Sequence, residues 1–156
     1  LSKRSNAPGL RSGFTAGDAH LMEDFLLYRT YHGSAMSLTV QAASIAAWSD
    51  EAHVIENRRL YREKFAAAQP VLASVLEAPM PEAAFYLWVK TPGDDQIFAR
   101  ELYREKAVTV LPGSFLSRPV NGIDPAAGFV RLALVSEPEL GLEAAQRIRD
   151  FVKEHY

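Results

Sequence analysis

Leu1-Ser2-Lys3-Arg4-Ser5-Asn6-Ala7-Pro8-Gly9-Leu10-Arg11-Ser12-Gly13-Phe14 is the stretch on which the reading of this chain turns. It carries Ser-Lys, an arginine eight residues after the lysine, and then Gly-aromatic. An aldehyde cofactor has to be held by an amine, and lysine is the side chain whose amine can be tuned into a nucleophile, so Lys3 is the candidate. A phosphorylated cofactor also needs a fixed cation. The planar fork of arginine meets phosphate with two parallel hydrogen bonds, which points to Arg11. The glycines let backbone pass close to a ligand. The spacing alone is cheap, and a solvated lysine at a frayed terminus is the plainer reading of Lys3.

Four further segments follow in order. The first is Arg29-Thr30-Tyr31-His32-Gly33-Ser34-Ala35-Met36, leading into the apolar helical stretch Val40 to Trp48. The second is Ala84-Phe85-Tyr86-Leu87-Trp88-Val89, with Pro79 and Pro81 just before it. The third is Val110-Leu111-Pro112-Gly113-Ser114-Phe115, and the fourth is Gly128-Phe129-Val130-Arg131-Leu132-Ala133-Leu134. Taken with the Lys3 stretch, this series resembles the C-terminal part of class I/II (fold type I) pyridoxal-phosphate aminotransferases. The Arg29–Met36 segment is similar to succinyldiaminopimelate aminotransferases in particular.

That resemblance implies an α/β fold, a small sheet packed with helices beside a remnant of a large domain. It implies pyridoxal 5'-phosphate as cofactor, Lys3 as the catalytic residue that holds it as an imine and then moves protons, and Arg11 on the phosphate. Arg131 falls where the family grips the substrate's α-carboxylate. Arg29, Tyr31 and His32 fall in a loop that in such enzymes faces the partner subunit's active site, which makes them substrate-binding candidates and implies a homodimer. The implied substrates are an amino acid, glutamate in one half-reaction, and a keto acid. The closer resemblance points to transfer between N-succinyldiaminopimelate and 2-oxoglutarate in lysine and diaminopimelate synthesis.

Arg131 can also be read from its surroundings. It interrupts an alternating, apolar β-like run from Phe129 to Val135, where an unpaired charge is expensive, so an anion should meet it. A carboxylate held by two parallel bonds is one answer, and an edge-strand position or an internal acid is the other. For His32 and Tyr31 a turn without a catalytic role competes with the substrate reading. For Arg29 the competitor is an ordinary salt bridge.

With 48% hydrophobic and 23% charged residues, the 156-residue chain can bury one sizeable core or a core plus an appendage. The formal net charge of −2 gives no basic surface for nucleic acid. Without cysteine there is no disulfide framework or thiol chemistry, and no apolar run approaches the roughly twenty residues that span a bilayer. No basic-then-apolar signal peptide opens the sequence, and the family resemblance implies a cytoplasmic enzyme. His20, His32, His53 and His155 lack the close spacing of metal ligands, so no metal is expected.

The expected organisation is a large-domain remnant over 1–30, interdomain helices over 31–78 and a small α/β domain over 79–156. Leu10 to Ala16 reads as a strand, and Asp18 as the N-cap of a helix through Leu21, Met22, Phe25 and Leu26. Further helices are expected over Leu38 to Ser49 and Asp50 to about Leu76. The second of these carries the solvated charges Glu56, Arg58, Arg59, Arg62, Glu63 and Lys64, and a kink or break at Pro70. Strands follow at Phe85 to Lys90, Val108 to Leu111 and from Phe129. Helices run from Gln96 to Lys106 and, after Pro138, through Leu142, Ala145, Ile148, Phe151 and Val152. Trp48 and Trp88 read as core or interface residues.

The family's acid on the pyridine nitrogen, its ring-stacking aromatic and its glycine-rich phosphate loop lie upstream of the cofactor lysine. This 156-residue chain alone is therefore expected to be inactive and to bind cofactor weakly or not at all. Another enzyme of the same cofactor fold type, a lyase or synthase, would share Lys3, Arg11 and Arg131. A non-catalytic dimerisation module is the alternative from a different class.

Overall fold

A computed structural model describes all 156 residues. The chain forms two compact units, Leu1–Arg58 and Arg59–Tyr156.

In the first unit a 3-10 turn, Pro8–Leu10, precedes α1 (Ala19–Tyr31) and α2 (Leu38–Ser49). Asp18 caps α1 as expected, its carboxylate accepting from the His20 and Leu21 backbone N–H groups. Ser37 caps α2 by accepting from the Val40 N–H at 3.3 Å. The first unit keeps much of its apolar surface open: Leu21, Leu26, Leu27, Leu38 and Ile45 are all exposed. Leu10 to Ala16 is not a strand. Leu10 ends the 3-10 turn and Arg11 takes a left-handed φ of 50°, a conformation that breaks an extended run.

α3 (Ala52–Ala73) begins in the first unit and ends in the second. It runs through Pro70 to Ala73, so the expected break at the proline does not occur. Pro70 and Ala66, the residue one turn earlier whose carbonyl loses its donor, both lie on the exposed side of the helix. Water can serve that carbonyl, which keeps the cost low, and the helix ends within a turn.

The second unit is built on a three-stranded antiparallel sheet in the order β1 (Tyr86–Lys90), β3 (Phe129–Ala133), β2 (Leu111–Pro112). Leu87, Val89, Val130 and Leu132 alternate onto one face and are buried with Phe98 and Leu102 of α4 (Asp95–Lys106) and Ile148 and Phe151 of α5 (Pro138–His155). The C-terminal part of α3 adds Phe65 and Leu72 to the same core. The predicted strand from Val108 shrinks to Leu111–Pro112. α4 ends in a left-handed cap at Ala107 (φ 54°), the chain meets β3 only from Leu111, opposite Arg131, to Pro112, opposite Val130, and Pro112 has no N–H with which to extend the ladder.

Gly113, just after β2, is a point of close approach. A Cβ there would lie 2.3 Å from the Ala126 carbonyl oxygen, 2.9 Å from that of Phe129 and 3.0 Å from the Trp88 ring. Backbone oxygens cannot swing aside as a side-chain tip can. Gly113→Ala should therefore destabilise the fold by about 1–3 kcal/mol, read as a lowered urea midpoint.

Candidate functional site

Lys3 and Arg11 share one looped segment. The amino nitrogen of Leu1 donates to the Ser12 carbonyl at 2.7 Å, and the Leu1 carbonyl accepts from Ser5 N at 3.0 Å, which draws the two ends of the segment together. Ser12 anchors the far end: its hydroxyl shares a buried 2.7 Å hydrogen bond with Ser44 of α2. Both Lys3 and Arg11 are exposed. Arg11 donates to the Pro8 carbonyl at 3.3 Å, and its left-handed backbone costs roughly 1–2 kcal/mol, a strain of the kind that accumulates where a side chain must be aimed.

The segment is fastened by residues that the sequence reading passed over. Arg4 donates to the Ala47 carbonyl at 2.6 Å, pairs with Glu51, and lies with its guanidinium carbon 4.5 Å from the Trp48 ring centre. His53 bridges Ser5 (Nε2 to Oγ, 2.9 Å) and Asp50 (Nδ1 to Oδ2, 2.5 Å). Hydrogen bonding from His53 holds the Asp50 carboxyl below its usual range. Asn6 adds a bond to Asn57 at 2.8 Å. Next to the segment an open groove of about 600 Å³ is lined by Phe14, Met36, Gln41, Ile45 and Trp48.

Arg29, Tyr31 and His32 form a second cluster, at the C-terminal end of α1. Arg29 turns back to donate to the carbonyls of His32 (2.8 Å) and Ser34 (3.5 Å). Its guanidinium passes so close to Gly33 that a Cβ there would meet Nη1 at 2.1 Å, and Gly33 has a φ of +87°. The positive φ favours glycine here, whereas the guanidinium tip could swing aside from a Cβ. His32 stacks on Tyr28 with ring centres 4.3 Å apart, while Tyr31 is 80% exposed.

Arg131 lies in the second unit, in the middle strand of the sheet. The alternation that sends Val130 and Leu132 into the core sends Arg131 to the opposite face, in register with Trp88 on β1 and Leu111 on β2. Its guanidinium carbon is 5.5 Å from the Tyr86 ring centre. Its Nε is buried and has no hydrogen-bond partner. Such an orphan donor costs about 1–3 kcal/mol, more for a charged group, until an acceptor reaches it.

The loops around Arg131 converge on Asp95, the first residue of α4, which is 3% exposed. Oδ2 accepts from Ser114 N at 2.9 Å and Oδ1 from Gly128 N at 3.3 Å. Burial works against the Asp95 charge, but hydrogen bonds from Ser114 and Gly128 outweigh it and hold its pKa below the usual 3.8. Asp94 and Asp95 stand side by side in the sequence. Nothing in that doublet separates Asp94, which caps α4 through Gln96 and Ile97, from its buried neighbour. No group of acidic or histidine side chains is arranged to hold a metal ion.

The family model for aminotransferase class I and II matches residues 1–148. An aminotransferase structure from Neisseria meningitidis superposes with a TM-score of 0.88 at 57% identity, covering 97% of this chain and 39% of that one. A Thermus thermophilus structure of a probable N-succinyldiaminopimelate aminotransferase gives a TM-score of 0.59 at 35% identity over 71% of this chain and 29% of that one. The LL-diaminopimelate aminotransferase of Syntrophobacter fumaroxidans is 31% identical over 96% of this chain and 38% of its own length. The chain thus spans about two fifths of the length of such relatives.

Because the Asp95 pKa is depressed on folding, its contribution to stability is present above pH 3.8 and is lost as pH falls through the lower, folded value. Asp95→Asn should lower stability near neutrality and flatten the loss on acidification. Urea unfolding across the range from neutral pH to below 3.8 reads both effects.

Proposed function

We infer, for a chain that belongs to the class I and II aminotransferases, that the whole protein moves an amino group between an amino acid and a keto acid. The family uses pyridoxal phosphate, which when bound supplies an electron sink for breaking the bond to hydrogen at the carbon bearing the amino group. The donor set here suits such a group: an amine and a guanidinium on one strapped segment, Lys3 to hold it and Arg11 to take its phosphate. Once its amine is free, Lys3 would carry a proton at the substrate's α-carbon.

The observation that carries the reading is the buried, partnerless Nε of Arg131. A substrate α-carboxylate would satisfy it and, through a two-point contact, fix the orientation of the reacting bond. The apolar face around it, Trp88 and Leu111 in register and Tyr86 nearby, keeps competing water sparse. Arg29, Tyr31 and His32 would meet the far end of the substrate across a homodimer. Arg29 would have to exchange its carbonyl partners at His32 and Ser34 for the substrate's acid.

For the substrate pair we propose N-succinyldiaminopimelate and 2-oxoglutarate, with glutamate formed or consumed in the second half-reaction. The similarity to the Thermus thermophilus protein supports the succinylated substrate, and that to the Syntrophobacter fumaroxidans LL-diaminopimelate aminotransferase supports a substrate of the diaminopimelate type. We propose a cytoplasmic location; no helix is long and apolar enough to cross a membrane. In the whole protein, residues 1–30 would belong to the large domain, 31–78 to the interdomain helices and 79–156 to the small domain.

In the full-length protein, borohydride reduction followed by peptide mapping should find the pyridoxyl group on Lys3. Arg131→Lys should weaken glutamate binding in the half-reaction by about tenfold or more, since an ammonium cannot reproduce the two-point contact. Unchanged glutamate affinity would remove Arg131 from the carboxylate site. The 156-residue chain by itself should show no transaminase turnover in a coupled glutamate assay.

A further inference from the structure

Arg131 sits in a short strand between two short partners, and a five-residue strand does not by itself hold a guanidinium to within the fraction of an ångström that orientation demands. The restraint comes from outside the sheet. Ser114 lies two residues beyond β2, whose Leu111 is opposite Arg131, and Gly128 is the residue immediately before β3. One carboxylate takes both backbone N–H groups, across sequence separations of 19 and 33 residues. Gly128 is also held from its other side, its carbonyl accepting from Thr91 N at 2.8 Å just past the end of β1. Gln96, next to Asp95, donates to the Ser114 hydroxyl at 3.0 Å.

We propose that Asp95 is a positioning residue for substrate recognition: by tying the Ser114 turn and Gly128 to the start of α4, it sets where Arg131 presents its guanidinium. The inference rests on the reading of Arg131 as the carboxylate-binding residue. A buried carboxylate is an expensive way merely to close a loop, because its charge must be offset by donors that a neutral side chain would not require. Its advantage is that one charged group takes two backbone N–H groups at once, from Ser114 at 2.9 Å and Gly128 at 3.3 Å, and charge-assisted bonds are stronger than neutral ones. Asp124 makes the contrast. It lies on the same loop and accepts from Ala126 N at 2.9 Å and from the Ser117 hydroxyl, but has no bond to the turn at Ser114 or to Gly128.

The test is the glutamate half-reaction of the full-length protein, followed by cofactor absorbance in single turnover. Asp95→Asn is nearly isosteric and sets an amide N–H against one of the two backbone donors. It should raise the apparent dissociation constant for glutamate about tenfold while the limiting rate changes less than about threefold, the pattern of lost uniform binding. Borohydride trapping on Lys3 should be unaffected, and Asp124→Asn should leave glutamate binding within about twofold of the parent. Asp95→Glu, which keeps the charge but lengthens the arm, should also weaken binding and serves where the asparagine variant does not fold. Unchanged glutamate affinity in either Asp95 variant, an equal loss in Asp124→Asn, or insolubility of both Asp95 variants would make Asp95 a purely structural residue and overturn the proposal. Arg131→Lys separates the two readings. If it weakens glutamate binding and the Asp95 variants do not, only the positioning role falls; if it does not, the carboxylate reading falls first.

Discussion

A buried carboxylate is tolerated only where enough donors meet it, and Asp95 meets that condition by drawing two distant stretches of backbone onto the start of α4. Much else in the second unit follows from that demand. The Pro112–Phe115 stretch must come close enough for Ser114 N to reach Oδ2, which presses Gly113 against the Ala126 and Phe129 carbonyls and leaves no room for a Cβ. The same anchor delimits β3 at its start, and β3 alternation then decides that Val130 and Leu132 fill the core while Arg131 faces away from it. The core in turn holds α4 in place through Phe98 and Leu102. The polar and apolar parts of this unit thus constrain one another.

In the first unit the governing interaction is different. Arg4 is spent on the C-terminal end of α2 and the start of α3, where its cation meets the Ala47 carbonyl and the Glu51 carboxylate over the Trp48 ring. A cation at a helix C-terminus is favourable in its own right, and the stacked indole limits the guanidinium's freedom. The neighbour of exposed Lys3 is thus held against α2.

The sequence made the elements legible where periodicity or capping chemistry was strong. α2 has the bounds its pattern predicted, Asp18 caps α1, and the Phe129 strand carries its arginine on the face opposite the core. It failed where tertiary context decides. Leu10 to Ala16 looks extended, but the backbone at Arg11 is turned by a short-range bond to Pro8. Pro70 reads as a break, and only its exposure makes the missing hydrogen bond tolerable. Arg4, His53 and Asp95 left no local signal, because the partners Ala47, Ser5, Ser114 and Gly128 lie 19 to 48 residues away and each side chain is of a type common on surfaces.

Arg131 shows why a residue can be legible in type and not in role. The pattern of β3 identifies a charge set in an apolar run, and elementary solvation requires that something compensate it. A structural arginine in that position would be expected to satisfy its buried Nε within the fold, as Arg4 satisfies its own donors with Ala47 and Glu51. The Nε of Arg131 has no such partner within the chain, and the buried acid of this unit, Asp95, is committed to the backbone of Ser114 and Gly128. An internal acid was the competing explanation for this arginine. With no acid of the chain bonded to it, the Arg131 Nε is a donor that the proposed substrate carboxylate would satisfy.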